Sequence, residues 1–324
     1  MTAAILLSEH GGPDRLELRQ VALPPPGPGE LRLRQTAVGV NFHDVYVRSG
    51  LYRTLPLPGI PGIEASGVVE GLGAGVDGFA VGDRVCYVTG SYGAYAAGRN
   101  LPAALALKLP AEVGDEVAAA TILKGLTACM LLRHEYAVGR GDFILVHAAA
   151  GGVGQLLCRW ARHLGATVIA TVGDASKEAV ARACGAQHVI TGAMDDLPER
   201  VRQITGGEGV AVAYDSVGRD SFQASLASLA WFGKLVNFGQ SSGPVPPFEV
   251  SQLAARSNAL SRPIVFHYLR DPTRLQRMAG EVFALLGQGV LTAEIGLRLP
   301  LAEANRAHAL LEARRTIGPT ILLP

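Results

Sequence analysis

Between Phe143 and Gly154 the chain reads Phe-Ile-Leu-Val-His-Ala-Ala-Ala-Gly-Gly-Val-Gly. An apolar run ends in a turn of small residues, and a helix-compatible stretch follows. Aligned on the spacing GxGxxG, the three special positions are Ala149, Gly151 and Gly154, so the first glycine is an alanine here. The chemistry of this pattern is binding of a dinucleotide pyrophosphate. Gly151 lets the backbone approach the phosphates without a Cβ in the way, and Gly154 lets the helix pack close to the sheet. Gly152 and Val153 open that helix, whose N-terminus offers unpaired N–H groups and the positive end of its dipole. The spacing by itself is a weak signal. It gains weight from the strand before it and from the helix and strand after it.

The end of the next strand chooses between the two nicotinamide cofactors. A site for NAD commonly carries an acidic residue there, about 20 residues on, for the ribose hydroxyls. Here the strand ends Thr171-Val172-Gly173-Asp174-Ala175-Ser176-Lys177. Gly173 occupies the acidic slot and leaves room for a 2′-phosphate. Lys177 carries a charge that neutralises one. This pair predicts NADPH; an Asp174 side chain turned inward would instead favour NAD.

The elements that must position these residues follow from periodicity. Residues 3–7, 16–21, 31–38, 65–70 and 84–88 read as short strands separated by Gly- and Pro-rich turns, which predicts a compact β unit. From residue 115 the texture changes. A helix is expected over 117–136. Apolar strands at 143–148, 167–172, 188–190, 210–215 and 234–238 then alternate with helices at 153–164, 177–184, 198–205 and 221–229. Continuous apolar strands between helices predict a doubly wound parallel sheet covered on both faces. A helix at 273–287, a strand at 291–299, a helix at 302–314 and a strand at 320–323 complete the chain. The fold class is therefore α/β.

Composition excludes several roles. Of 324 residues, 48% are hydrophobic and 18% charged, enough apolar matter for two cores and too little charge for a disordered chain. With 29 basic and 28 acidic residues the formal charge is +1, which gives no electrostatic reason to expect nucleic acid as the main partner. No run of about 18 uninterrupted apolar residues predicts a membrane helix. Cys86, Cys129, Cys158 and Cys184 lack metal spacing and read as buried free thiols, which points to a reducing, cytoplasmic compartment. His147, on the apolar strand before the turn, reads as a core histidine.

As an ordered set, several segments resemble one family. They are His10-Gly11-Gly12-Pro13, GVNFHDVYVRSGLY over 39–52, LKGLT over 123–127, Ala148 to Gly154, YDSVG over 214–218 and FGQSSG over 238–243. The chain resembles the zinc-free, zeta-crystallin-like NADPH:quinone oxidoreductases of the medium-chain dehydrogenase/reductase superfamily, from its first turn to its final residues. The resemblance implies a GroES-like catalytic domain over 1–120 and 263–324, with a Rossmann NADPH-binding domain inserted over 121–262. It also implies a homodimer or a homotetramer, with the stretch 245–263 as the contact.

Site residues carry over with it. Asn41, Tyr46 and Tyr52 are the implied catalytic residues. Asn41 is expected to hydrogen-bond the cofactor or an acceptor oxygen, and the two tyrosines to flank a flat ring with phenol donors. The implied cofactor contacts, besides Asn41 and Tyr46, are Gly151, Gly152, Val153 and Gly154 at the pyrophosphate and Gly173 and Lys177 at the 2′-phosphate. Ser216, Val217, Phe238, Gly239 and Gln240 follow strand ends, Pro263, Ile264 and Val265 meet the nicotinamide, and Arg314 comes from the C-terminal tail. Thr127 belongs to this set, as do Met130 and Gly192, two positions where the bacterial pattern has tyrosine. His43 has no partner motif and reads as structural or surface.

Zinc-dependent relatives place Cys at the position of Asn41 and His at that of Ile63, before Glu64. A catalytic zinc wants three such ligands, so no metal is expected and Glu64 reads as a structural hydrogen-bonding residue. Without a Lewis acid, the expected reaction is hydride transfer from NADPH to a quinone or related conjugated carbonyl. The alternatives are an enoyl or enone (acyl-CoA) reductase of the same superfamily and, in another class, an RNA-binding or crystallin-like structural protein.

Overall fold

The computed structural model describes residues 1–324. The chain divides into two compact units. Unit 1 comprises Met1–Lys124, Leu269–Gly287 and Ala293–Pro324, and unit 2 comprises Gly125–Tyr268 and Gln288–Thr292.

Unit 1 is built on antiparallel strands. β1 (Thr2–Leu7) pairs with β2 (Leu16–Val21), and a longer β3 (Glu30–Val40) leads into helix α1 (Phe42–Ser49). Then come β4 (Glu64–Leu72), β5 (Arg84–Val88), β6 (Gly98–Pro102), β7 (Ala106–Lys108) and helix α2 (Asp115–Cys129). β3 is the hub of this sheet: β4 and β6 pair with it, and both contacts are antiparallel. Helix α1 was legible in the sequence only as a motif. Its N-terminus is held by the Asn41 N–H, which donates to Asp44 Oδ2 at 2.9 Å, and it ends at Gly50 with φ +82. The glycine accepts that left-handed conformation without a Cβ penalty.

Unit 2 alternates strand and helix: β8 (Phe143–Val146), α3 (Gly152–His163), β9 (Thr167–Thr171), α4 (Glu178–Ala183), β10 (His188–Ile190), α5 (Leu197–Ile204), β11 (Val210–Asp215), α6 (Phe222–Ala227), β12 (Leu229–Asn237), β13 (Ala259–Ser261) and the short α7 (Val265–Tyr268). All six strands are parallel, in the order β10-β9-β8-β11-β12-β13. The order reverses beside β8. The carboxyl ends of the strands, where ligands bind in such sheets, therefore gather at one edge. Leu145, Ile169, Ala213 and Leu235, one from each central strand, are fully buried and pack with Leu197, Val201 and Phe222 of the helices.

The chain then returns to unit 1 through α8 (Pro272–Gly287), β14 (Leu297–Pro300), α9 (Ala304–Glu312) and β15 (Thr320–Leu323). β15 pairs antiparallel with β3, so Thr320 lies opposite Val40. The fold is a GroES-like unit with a parallel Rossmann-type sheet, mixed α/β.

Several expected elements differ in extent, among them the strand expected over 234–238, which begins at Leu229. The helix expected over 117–136 is α-helical only to Cys129, after which Met130–Glu135 widens into a π-helical segment, with Tyr136 N donating to Leu131 O. The strand expected over 291–299 is confined to Leu297–Pro300. Gly296 there lies so close to the Ile317 carbonyl that no Cβ fits. No helix is long and apolar enough to cross a membrane. All four cysteines are buried free thiols.

Candidate active site

The turn after β8 has the geometry of an anion cradle. Ala148 adopts φ +50, and Gly151 N donates to Ala148 O at 2.9 Å, which closes the turn. Gly151 is the N-cap of α3, and Gly152 and Val153 open its first turn. A Cβ on Gly151 would lie 3.2 Å from Ala148 O; one on Gly154 would run into the same oxygen and sit 2.7 Å from Ala149 Cα. The small residues here are thus a requirement of close backbone approach. The helix N-terminus they deliver favours phosphate. His147 is buried, with Nδ1 2.9 Å from Thr171 Oγ1 and Nε2 2.8 Å from Ser225 Oγ. Burial lowers its pKa.

The neighbouring strand ends complete this edge. Gly173 is exposed, and a Cβ added there meets nothing within 4 Å. Asp174 is turned into its own loop. Its Oδ1 accepts from Ser176 N at 2.9 Å and from the Ser176 hydroxyl, and these bonds lower its pKa. Lys177 follows as the N-cap of α4. Gly192, after β10, has φ +107, which a side chain at this position would strain.

Beyond β11 and β12, a buried Asp215 organises two loops. Its Oδ1 accepts from Val217 N at 2.8 Å, Gly218 N at 3.1 Å and Ser221 Oγ at 2.7 Å. Its Oδ2 accepts from Asn237 Nδ2 at 3.3 Å, and Arg262 donates to Asn237 Oδ1 at 2.7 Å and to Gly239 O at 3.0 Å. Ser216, Val217, Phe238, Gly239 and Gln240 are all partly exposed on these loops, and Pro263, Ile264 and Val265 follow β13. Thr127 is part-exposed on α2, and Met130 is buried just after it. The sequence offered no sign of the Asp215–Asn237–Arg262 chain beyond the YDSVG segment itself. A cavity of about 220 Å³ at the β10 edge, lined by Arg182, His188 and Arg200 among others, contains none of the expected site residues.

In unit 1 the segment 41–52 gathers aromatic rings. Tyr46 lies 5.5 Å from Phe42 and 5.0 Å from Tyr52 between centroids, and Tyr52 lies 5.6 Å from His43. Tyr52 N donates to Tyr46 O at 3.0 Å, which folds the loop back onto the helix. His43 has a partner the sequence did not reveal. Its ring stacks on Tyr92 at 6.0 Å, and its Nε2 lies 3.3 Å from the Tyr92 hydroxyl, which also bonds Thr54. Tyr92 is held at φ +59. Burial lowers the His43 pKa to about 4, so the ring is neutral at pH 7. Arg314, at φ +56 just after α9, is exposed.

Beneath these rings lies a buried polar network. Glu64 is wholly buried and takes three donors: Asn41 Nδ2 at 2.8 Å and Lys124 Nζ at 2.7 Å on Oε1, and Leu123 N at 2.8 Å on Oε2. Asp44 Oδ2 accepts from Asn41 N and from the Tyr95 hydroxyl, at 3.1 Å, and that hydroxyl lies 2.9 Å from His308 Nε2. Burial raises the Asp44 carboxyl to about 7. Its Oδ1 has no partner, the arrangement of a carboxyl that is easily kept neutral.

Comparisons with known proteins bear on the whole chain. Residues 27–165 match the family model of the alcohol dehydrogenase GroES-like domain, and residues 152–279 match that of zinc-binding dehydrogenase. The chain is 44% identical to a quinone oxidoreductase of Pseudomonas aeruginosa, with all of both chains covered. It belongs to the quinone oxidoreductase family. Within the quinone oxidoreductases, a crystal structure from Escherichia coli complexed with NADPH superposes with a TM-score of 0.97 at 41% identity, covering 99% of this chain and all of that one. A 2-haloacrylate reductase of a Burkholderia species is 41% identical over all of this chain and 99% of its own.

The zinc named in one matching model does not fit the residues of this family member. Asn41 and Ile63 stand where Cys and His would be needed, and Glu64 is occupied by Lys124, Asn41 and a backbone N–H. No cluster of three His, Cys, Asp or Glu side chains could hold a metal ion.

Proposed function

We propose that this chain is an NADPH-dependent quinone oxidoreductase. The observation that carries the reading is 44% identity to a quinone oxidoreductase with both chains covered in full. The cradle fits the cofactor on physical grounds, because Gly151, without a Cβ, caps the α3 N-terminus that would receive the phosphates, and Gly154 lets that helix pack against the Ala148 carbonyl.

Each group has a role in this reading. Gly151, Gly152 and Val153 hold the pyrophosphate on the α3 N-terminus, and Gly154 keeps that helix close to β8. Gly173 leaves room for the 2′-phosphate and Lys177 neutralises it, while the Asp174 carboxylate stays engaged with Ser176. Ser216, Val217, Phe238, Gly239, Gln240, Pro263, Ile264 and Val265 orient the rest of the cofactor, with Thr127, Met130, Gly192 and Arg314 at its margins. When bound, NADPH supplies a hydride. Tyr46 and Tyr52 orient a flat conjugated acceptor and offer phenol donors to the oxygen that gains charge. Solvent protonates the product, so no dedicated acid is required.

The test is steady-state NADPH oxidation with 1,4-benzoquinone and 9,10-phenanthrenequinone, run beside NADH. Absence of turnover with any quinone overturns the reading. A second reading, reduction of α,β-unsaturated carbonyl compounds, rests on the 41% identity to a 2-haloacrylate reductase. Higher kcat/KM for 2-chloroacrylate or crotonyl-CoA than for the quinones would put it first.

The same reading includes a homodimer in the cytoplasm. Trp231, Phe232, Val250, Leu260 and Ile264 are exposed apolar residues on or near the edge strand β13, a surface of the kind a second copy would cover. The four reduced, buried thiols fit a reducing compartment.

A further inference from the structure

Glu135 closes the π-helical segment that follows α2, and three side-chain donors converge on its carboxylate. Lys234 Nζ, from β12, donates to Oε2 at 2.8 Å and to the Glu135 carbonyl at 2.7 Å. Ser261 Oγ, at the end of β13, donates to the same Oε2 at 2.7 Å. The Tyr268 hydroxyl, at the end of α7, donates to Oε1. The Glu135 side chain is 10% exposed. Burial opposes its charge, but the bonds from Lys234, Tyr268 and Ser261 outweigh burial and hold its pKa below the usual carboxylate value, so the group is ionised at pH 7.

Ser261 and Tyr268 stand at the two ends of one short strap, residues 262–267. Its first residue is fixed from the other side: Arg262 donates to the carbonyls of Asn237 and Gly239, each at 3.0 Å. Pro263 has no N–H with which to bond a neighbour, and Ile264 is 48% exposed. The course of the strap is therefore set by its anchored ends. Stability alone does not call for a carboxylate here, because a buried ion pair replaced by apolar side chains of similar volume is often no less stable. Apolar side chains could not, however, bond a serine in one element and a tyrosine in another. The π-helical segment that delivers Glu135 also carries Met130 at its start, and such turns recur at functional sites.

We propose that Glu135 is a positioning residue that fixes the strap 262–267 where Pro263, Ile264 and Val265 meet the nicotinamide half of the cofactor. Lys234 keeps the carboxylate charged, and Ser261 and Tyr268 are the tethers. This assignment rests on the quinone oxidoreductase reading, which puts those three strap residues at the nicotinamide, and adds the residue that sets them there.

The experiment is isothermal titration with two ligands, NADPH and 2′-phospho-ADP-ribose, the same dinucleotide without its nicotinamide ring. Ser261→Ala with Tyr268→Phe cuts both tethers and leaves the Glu135–Lys234 pair intact. Glu135→Leu with Lys234→Leu removes the carboxylate without stranding a charge. Each double variant should bind NADPH about three- to tenfold more weakly, with its affinity for 2′-phospho-ADP-ribose within about twofold of wild type. Glu135→Gln can keep all three bonds, its oxygen accepting from Lys234 and Ser261 and its amide donating to the Tyr268 oxygen, and should match wild type with both ligands. Equal losses for the two ligands would show a general role in the sheet edge and overturn the proposal. So would an unchanged NADPH affinity in the tether variant, or a glutamine variant no better than the leucine pair. Should the leucine pair fail to fold, the tether variant decides. A wild type that does not bind NADPH overturns the assignment together with the cofactor reading. The expected split between the ligands in a protein that reduces no quinone would uphold the strap and sink the activity reading alone.

Discussion

The carbonyl oxygen of Ala148 occupies the space that a Cβ on Gly154 would need. The turn and the first turn of α3 are consequently in backbone contact, and the helix N-terminus is held against the end of β8. Gly154→Ala must push the two apart. The expected cost is about 1–3 kcal/mol of stability, the range for overpacking, with weakened NADPH binding. Urea unfolding and a cofactor titration on the same sample measure both, and an unchanged affinity would separate the cradle from the cofactor.

Cofactor choice is expected to turn on Gly173 and Lys177. A side chain at Gly173 meets open space, so Gly173→Asp should fold normally. Its carboxylate would repel a 2′-phosphate and accept from ribose hydroxyls. Preference for NADPH over NADH, as a kcat/KM ratio, should fall by roughly tenfold or more, a change of about 1.4 kcal/mol or above. Lys177→Ala should raise the KM for NADPH and leave that for NADH nearly unmoved. Parallel changes with both cofactors would refute the assignment.

Asp44 makes stability depend on pH. Burial raises its carboxyl to about 7, against about 3.9 in an unfolded chain. Between these values the folded protein keeps a proton that the unfolded chain has released. Its contribution to stability is therefore fully present below the unfolded value and lost as pH rises toward the folded one. Relative to Asp44→Asn, the wild type should be more stable at pH 5 than at pH 8 by about 2 kcal/mol. Denaturant midpoints of both proteins at the two pH values give the difference, and a pH-independent gap would mean that Asp44 titrates normally.

Assembly is predicted to depend on the aromatic pair beside β13. Trp231 is 59% and Phe232 77% exposed, which is unusual for residues of this size. Trp231→Glu with Phe232→Glu should convert a dimer to a monomer in light scattering. If the wild type is itself monomeric at micromolar concentration, the dimer is excluded.

Much of unit 2 was legible because its signals are local. The apolar strands and the small residues of the turn after β8 sit within a few residues of the structure they produce. Tyr46, Tyr52 and Asn41 were legible only as a motif implied by resemblance, since their segment mixes rings and charges without a clear period. Even helix α1, which carries Tyr46 and starts just after Asn41, had to be seen in the structure.

By itself, the sequence determined the α/β class and the parallel sheet, because each depends on residue type at short spacing. Tertiary structure decided the partners. Glu64 meets Lys124 sixty residues on, His43 meets Tyr92, and Asp44 reaches His308 through Tyr95. No periodicity encodes these pairs. They form because burial removes water from polar groups and leaves each to find its partner wherever the fold brings one.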